Sequence, residues 1–396
     1  MLVEFTVRNV LSFKERTTFH MCRNRAYKEH IDYIIDSSAK HLLKVASIYG
    51  ANASGKTNLL IAIDRFTKII QESMNAHDFN NRPVIAQNYL PFDFENGDDS
   101  SEFEVVIEND RYEYKYGFEY NEKKILSEWA YRKNLITNRT SILLHRKADT
   151  IQFGASVKRN CGIYHDQISD DVLVLTFMNK LKKHTAFHDL FDVLKKLLYI
   201  PPDLLNNLDF IVDILPSILD TQKENFVSFL NAIDVGIIDI NMIEEHNERY
   251  FYTTHIGKDN EDYSLNLFSE SEGTIRCIFL YIHIYYAIMN STTIFIDELN
   301  EKLHPMLLKY IVDLFYNTDS QAQLIYTTHD ISLLNSDCFR RDQIWFVEKD
   351  NYGYSSLKHL SDYSVRMDSS LYKNYINGKY GGIPHFSDFT FEDKTK

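Results

Sequence analysis

The sequence predicts an α/β fold: a mixed sheet with an antiparallel β-meander, helices on both faces, and an α-helical insertion. Three observations carry this. A short apolar strand, Lys44–Tyr49, runs through a glycine-containing loop into an amphipathic helix, Thr57–Ile70, with Leu59, Leu60, Ile63, Phe66 and Ile70 apolar at helical spacing. From Phe103 to Trp129 apolar and polar residues alternate, which is the period of half-buried strands. Between Asp166 and Ile233 the period lengthens to roughly 3.6, that of helices. A chain of 396 residues also exceeds what one small core holds, so more than one lobe is expected.

In chain order, Leu2–Arg8 alternates and reads as a strand. Thr17–Met21 pairs with it across a turn at Asn9–Phe13. The apolar strand, loop and helix follow, and polar Ser73–Arg82 reads as a loop. Phe103–Ile107, Tyr112–Phe118 and Ile125–Trp129 form the meander, punctuated at Asn109–Arg111 and Asn121–Lys123. Val172–Leu181, Phe187–Leu198, Leu204–Leu219 and Glu224–Ile233 read as amphipathic helices, with Pro201, Pro202 and Pro216 breaking the run. Strands return at Ile237–Ile243, Arg249–Ile256 and Tyr263–Leu267. A long helix covers Gly273–Met289, and the apolar strand Thr293–Ile296 suits the centre of a parallel sheet. A helix at Pro305–Phe315 and strands at Ala322–Tyr326 and Gln343–Val347 complete the pattern. The polar tail Phe389–Lys396 is expected to fray. The chain thus divides into 1–165, holding the loop and meander, 166–235, the helical insertion, and 236–396, the second half of the α/β body.

The chemistry concentrates at the first loop. Gly50-Ala51-Asn52-Ala53-Ser54-Gly55-Lys56-Thr57 fits G-x-x-x-x-G-K-[ST], and Asn58 follows it into the helix. Glycines let successive N–H groups turn inward onto phosphate oxygens. The helix start adds unpaired donors and the positive end of a dipole. Lys56 supplies a full charge toward the β- and γ-phosphates, and the Thr57 hydroxyl suits Mg²⁺. The strand Ile294–Ile296 ends in Asp297 and Glu298. A carboxylate there holds Mg²⁺ directly or through water, a role assigned to Asp297. Glu298 is placed to polarise an attacking water. His329 ends the next strand and is expected to contact the γ-phosphate or orient the water. Ser271, Gly273 and Thr274 open the long helix. They make both a helix cap and a second anion site, because small residues at a helix start permit close approach.

Composition narrows the rest. Net charge is −13, which argues against an all-over basic nucleic-acid coat. Cys277–Met289 is too short to span a bilayer. No basic-then-apolar leader pattern is seen at the N-terminus. Cys22, Cys161, Cys277 and Cys338 show no C-x-x-C spacing and read as reduced cytosolic thiols, consistent with a cytoplasmic protein. His184 and His188 are spaced to share a metal, but no third ligand accompanies them, and a solvated face is favoured. Lys180, Lys182, Lys183, Lys195 and Lys196 make the insertion locally basic, again read as a solvated face.

The motif order resembles ABC-type ATPases, in the SMC-related branch that includes OLD nucleases. More narrowly it resembles the RloA/AbiLi-type ATPases of abortive-infection systems. The matching stretches include Arg8–Phe13, Gly50–Thr57, Glu270–Thr274, Ile296–Pro305, Gln323–Asp330, Arg340–Lys349 and Lys379–Pro384. The resemblance implies an ABC/SMC-type ATPase head binding ATP and Mg²⁺. It implies a homodimer or higher homo-oligomer, with Ser271 of one head facing the phosphates held by the other, and a separately encoded effector, often a nuclease. Asn300 stands where an acid frequently follows Asp-Glu-Leu. No Q-loop glutamine is placed, and Gln87 is a poor candidate. Two other readings stand beside an anti-phage ATPase: a DNA-repair or recombination-type ATPase, and a non-hydrolysing nucleotide-gated scaffold. The first would carry long heptad coiled coils, and none is seen.

Overall fold

In a computed structural model, the structure describes residues 1–36, 40–95, 100–148, 150–183, 185–233, 236–246, 248–334, 338–363, 365 and 370–384. Two sheets dominate. A six-stranded sheet runs in the order Leu197–Ile200, Thr293–Ile296, Gln323–Thr327, Val45–Tyr49, Ile344–Lys349 and Ser355–His359. It is parallel except for its last strand, so it is a mixed sheet. Val45–Tyr49 is buried throughout, as a strand covered on both faces must be. The second sheet is antiparallel and seven-stranded. It contains the meander, extended by Thr140–Lys147 and Thr150–Phe153, with Leu2–Arg8 and Thr17–His20 at the other side.

The helix Lys56–Glu72 is buried in the same core as the meander's inner face. Phe66 meets Phe5, Phe103 and Phe118 there, with Phe118 stacked at 5.9 Å. Large aromatic side chains remove much apolar surface from water, which explains their abundance in the meander. A second core lies against the helices Glu272–Asn290 and Pro305–Tyr316. Gln323 links the two sheets at their base. Its Oε1 accepts from Leu2 N–H at 2.6 Å and from Thr293 Oγ1 at 2.9 Å, and its Nε2 donates to Leu2 O at 3.1 Å. Among the described residues no helix is long and apolar enough to cross a membrane.

Two sequence expectations are corrected in the 166–235 segment. The helix expected over Phe187–Leu198 ends at Leu194, and Leu197–Ile200 is instead a strand pairing in parallel with Thr293–Ile296. The segment therefore forms one edge of the central sheet as well as helices. Pro216 does not break its helix. Leu208–Ala232 runs through it, and the backbone leaves helical geometry at Gln222, with φ −141°. A proline forfeits one helical hydrogen bond, which a helix anchored on both sides by buried Ile211, Leu215 and Ile218 survives. Residues 173–178 are tied inward rather than displayed. The buried Glu128 carboxylate accepts the N–H groups of Val174 at 2.8 Å and Leu175 at 3.0 Å, and Tyr116 donates to it at 2.9 Å. Burial pushes its pKa upward.

Lys195 and Lys196 of the segment have partners. Lys195 pairs with Asp192 at 2.8 Å, and Lys196 donates to Asn290 O at 3.0 Å. His188 caps its own helix, its Nδ1 accepting from Thr185 N–H at 3.0 Å. His184 and the tail Phe389–Lys396 lie outside the described residues.

Candidate functional site

The site forms where three neighbouring strands of the central sheet end. Val45–Tyr49 leads into the loop Gly50–Gly55. Beside it Gln323–Thr327 leads to Thr328 and His329, and beyond that Thr293–Ile296 leads to Asp297 and Glu298. Parallel strands with a shared direction bring these three ends to one edge. A cavity of about 590 Å³ opens over the loop, lined by Asn52–Asn58 together with Glu298, His329 and Lys349.

The loop has no room for side chains at its glycines. A Cβ on Gly50 would lie 2.5 Å from Val347 O, and one on Gly55, at φ +111°, would lie 2.3 Å from Ser355 Oγ. Two serines brace it from distant parts of the chain. Ser355 Oγ donates to Ser54 O at 2.6 Å and lies 2.8 Å from Ser12 Oγ. Asn58 Nδ2 donates to Ser12 Oγ at 2.7 Å. Ser12 lies in the early turn, and Ser355 opens the last strand of the sheet.

Lys56 is buried, and its Nζ donates to Gly50 O at 2.9 Å and Ala51 O at 3.0 Å. Burial lowers its pKa to about 8, with Asp297 and Glu298 pulling the other way. Asp297 is 1% exposed. Thr327 Oγ1 donates to its Oδ1, while its Oδ2 is buried with no hydrogen-bond partner among the described residues. An unsatisfied buried carboxylate oxygen is costly unless something polar meets it. A Mg²⁺ ion meets that need. It is a hard cation that keeps several waters and takes few protein ligands alongside substrate phosphates. The residues present fit it: Thr57 and Asp297 would be the oxygen donors.

Glu298 sits in the left-handed region at φ +48°. For a non-glycine this costs about 1–3 kcal/mol and persists only where neighbours over-determine it. Here they do. The Glu298 N–H donates to Thr327 Oγ1 at 2.8 Å, and its C=O accepts from the fully buried Arg276 at 2.7 Å and from Glu301 N–H at 2.9 Å. Its side chain is left 41% exposed toward the cavity, 3.8 Å from His329 Nε2. The His329 pKa is lowered, first by burial and then by Lys56, which favours the neutral imidazole. Asn300 braces this histidine. Its Oδ1 accepts from Thr328 Oγ1 at 2.8 Å and His329 N–H at 3.4 Å. The residue that departed from the expected acid therefore holds the two strand ends together.

Ser271, Gly273 and Thr274 are not brought into this cavity. They open the Glu272–Asn290 helix, where Ser271 Oγ accepts from Thr274 N–H at 3.1 Å as a cap. Gly273 packs against Lys302, and Glu272 pairs with Lys302 at 2.9 Å, so the helix start rests on the loop that follows Glu298. Gln87 turns away, donating to Arg82 O at 3.0 Å. Sequence reasoning assigned no role here to Thr327, Asn300, Arg276, Ser12 or Ser355. Ser12, Asn300 and Thr327 lie inside stretches singled out for their resemblance, which is the available signal, while Arg276 and Ser355 lie in none.

Residues 45–335 match a family model described as an AAA domain, putative AbiEii toxin, type IV toxin–antitoxin system. The chain belongs to this AAA family. The matched span reaches from the loop strand past His329, so it contains Lys56, Thr57, Asp297, Glu298 and His329, while the bracing Ser12 and Ser355 and the cavity-lining Lys349 lie outside it. Membership marks an AAA-type ATPase domain. Similar solved structures include the SMC head domain from Thermotoga maritima, with 14% identity and a TM-score of 0.42, covering 90% of this chain and 98% of that one. An SMC head bound to the C-winged helix domain of ScpA has 15% identity and a TM-score of 0.43, covering 90% and 97%. An Smc head with an extended coiled coil, bound to the C-terminal domain of ScpA derived from Pyrococcus furiosus, has 13% identity and a TM-score of 0.42, covering 90% and 95%. No curated protein matches the sequence.

Proposed function

We propose that this AAA-family chain binds and slowly hydrolyses ATP with Mg²⁺, and that ATP closes two copies head to head within a bacterial anti-phage system. One observation carries the enzymatic part: Asp297 and Glu298 converge with Lys56 and His329 on a loop packed too tightly at Gly50 and Gly55 to admit a side chain. In this reading the loop N–H groups and Lys56 hold the phosphates, and Thr57 and Asp297 hold Mg²⁺, which would neutralise phosphate charge. Glu298 takes the proton of the attacking water, and neutral His329 orients that water or meets the γ-phosphate. Ser271, Gly273 and Thr274 supply the second anion site to the other copy's nucleotide.

The pKa of Lys56 gives a direct test of the binding step. With a pKa lowered to about 8, the amine is mostly protonated at pH 7 and loses its charge as pH rises. A bound polyanion favours the charged form and raises that pKa. ATP binding therefore takes up a proton above about pH 8, and affinity weakens as pH rises through the free protein's value. Calorimetry at pH 7 and 9 in buffers of different ionisation enthalpy measures this. An affinity that strengthens with pH contradicts Lys56 as the phosphate ligand.

The defence role rests on the family's toxin–antitoxin description and on the abortive-infection resemblance. We infer that a separately encoded effector, probed first as a nuclease, is held or licensed according to nucleotide state. The helical insertion, Asp166–Ile233, is the proposed docking surface through the exposed face of its Leu208–Ala232 helix, whereas Tyr380 of the segment Tyr380–Pro384 is fully buried. Expression with and without the operon neighbour during phage challenge tests this: protection is expected only with both genes. Full protection from this chain alone, or cleavage of DNA or RNA by the purified chain, overturns it.

A further inference from the structure

The nucleotide site as described holds one ammonium, Lys56, against two carboxylates, Asp297 and Glu298. A bound triphosphate adds several negative charges that Mg²⁺ and the helix start balance only in part. The strand next to the loop strand ends at Lys349, which lines the cavity over the loop together with Lys56, Glu298 and His329. Lys349 pairs across the ladder with Ser355. Opposed residues on neighbouring strands project to one face, so Lys349 leaves the sheet on the side where the Ser355 hydroxyl reaches Ser54 O.

Its neighbour Glu348 is the natural acid to neutralise it, and does not. Alternation along the strand sends Glu348 to the opposite face. There its carboxylate is engaged by Lys358 and by Gly382 N–H at 3.1 Å. Asp350 is turned into its own hairpin, accepting from Tyr352 and Tyr354 N–H, both at 2.9 Å. Among the described residues Lys349 makes neither an ion pair nor a side-chain hydrogen bond. The ammonium is exposed, unneutralised and at the mouth of a phosphate cavity.

We propose that Lys349 is a second phosphate-binding cation of this site, engaging the phosphates of a bound nucleotide. Its strand flanks the loop strand on the side away from the strands that end in Glu298 and His329, so its contact is with the loop-held phosphates common to ATP and ADP. This deepens the ATP-binding reading and rests on it. A lysine contacts phosphate as a flexible point charge, so arginine is an acceptable replacement here and a neutral side chain is not.

Calorimetric titration of the full-length wild type, Lys349→Gln and Lys349→Arg with Mg-ATP and Mg-ADP tests it. Lys349→Gln is expected to raise the Kd of both Mg-ATP and Mg-ADP about tenfold, the scale of one charge-assisted contact. Lys349→Arg is expected to stay within about threefold of wild type for both. An ATP Kd for Lys349→Gln within about twofold of wild type overturns the assignment, as does an equal loss in Lys349→Arg. Failure of the wild type itself to bind ATP overturns the nucleotide-site reading instead, and needs no variant to be seen. Lys349 is exposed, so its variants keep the fold, and equal melting temperatures without nucleotide check this directly.

Discussion

Glu298→Gln is expected to bind ATP as tightly as the wild type and to turn it over at least about a hundredfold more slowly, the scale of a lost general base. Glutamine keeps the shape and the hydrogen-bonding reach of glutamate, and it leaves the backbone clamp intact. The Glu298 N–H to Thr327 and C=O to Arg276 contacts are both main-chain contacts on the Glu298 side. The left-handed turn therefore persists, and only the proton acceptor is removed. Lys56→Ala is the companion variant. Its amine is already oriented by Gly50 O and Ala51 O, so its loss deletes a positioned charge and leaves two carbonyls without their donor. ATP affinity should fall at least about a hundredfold, the size of one strong charged contact or two weaker ones. Phosphate release assays and nucleotide titrations read the two effects separately. Wild-type hydrolysis rates in Glu298→Gln would sink the assignment of that carboxylate.

ATP is expected to convert a monomer into a dimer, with Glu298→Gln showing the largest ATP-dependent mass and Ser271→Arg the smallest. The argument starts from a separation. The described lining of the phosphate cavity does not include Ser271, Gly273 or Thr274, although a capped helix start is an anion site. A second copy is the simplest source of that anion site. Nucleotide then adds contacts only in the closed state and shifts the equilibrium toward it. Trapping the nucleotide by Glu298→Gln keeps the closed state populated. Arginine at 271 fills the approach and also removes the cap to Thr274, which costs about 0.5–2 kcal/mol, so its melting temperature is measured alongside. Light scattering with and without ATP decides. A mass that ignores nucleotide in all three proteins counts against nucleotide-driven closure.

What the sequence by itself determined is what short contiguous stretches encode. The glycine pattern of Gly50–Thr57 required a tight loop between a strand and a helix, and that arrangement is found. The apolar Thr293–Ile296 strand required burial on both faces, and the alternation of Phe103–Trp129 required a meander. These are properties of backbone conformation and of period, which neighbours along the chain set. The tertiary structure decided the rest. Ser12 and Ser355 meet at the loop although 343 residues separate them, and Arg276 reaches Glu298 from another helix. Such contacts leave no periodic trace. Leu197–Ile200 followed a helix directly and was apolar on both faces, so its pattern suited a helix as well as a strand. Only the open edge of Thr293–Ile296, whose N–H and C=O groups needed partners, made it a strand. Asn300 reads locally as a lost acid. In three dimensions its carbonyl oxygen takes donors from Thr328 and His329, because the fold places two strand ends side by side.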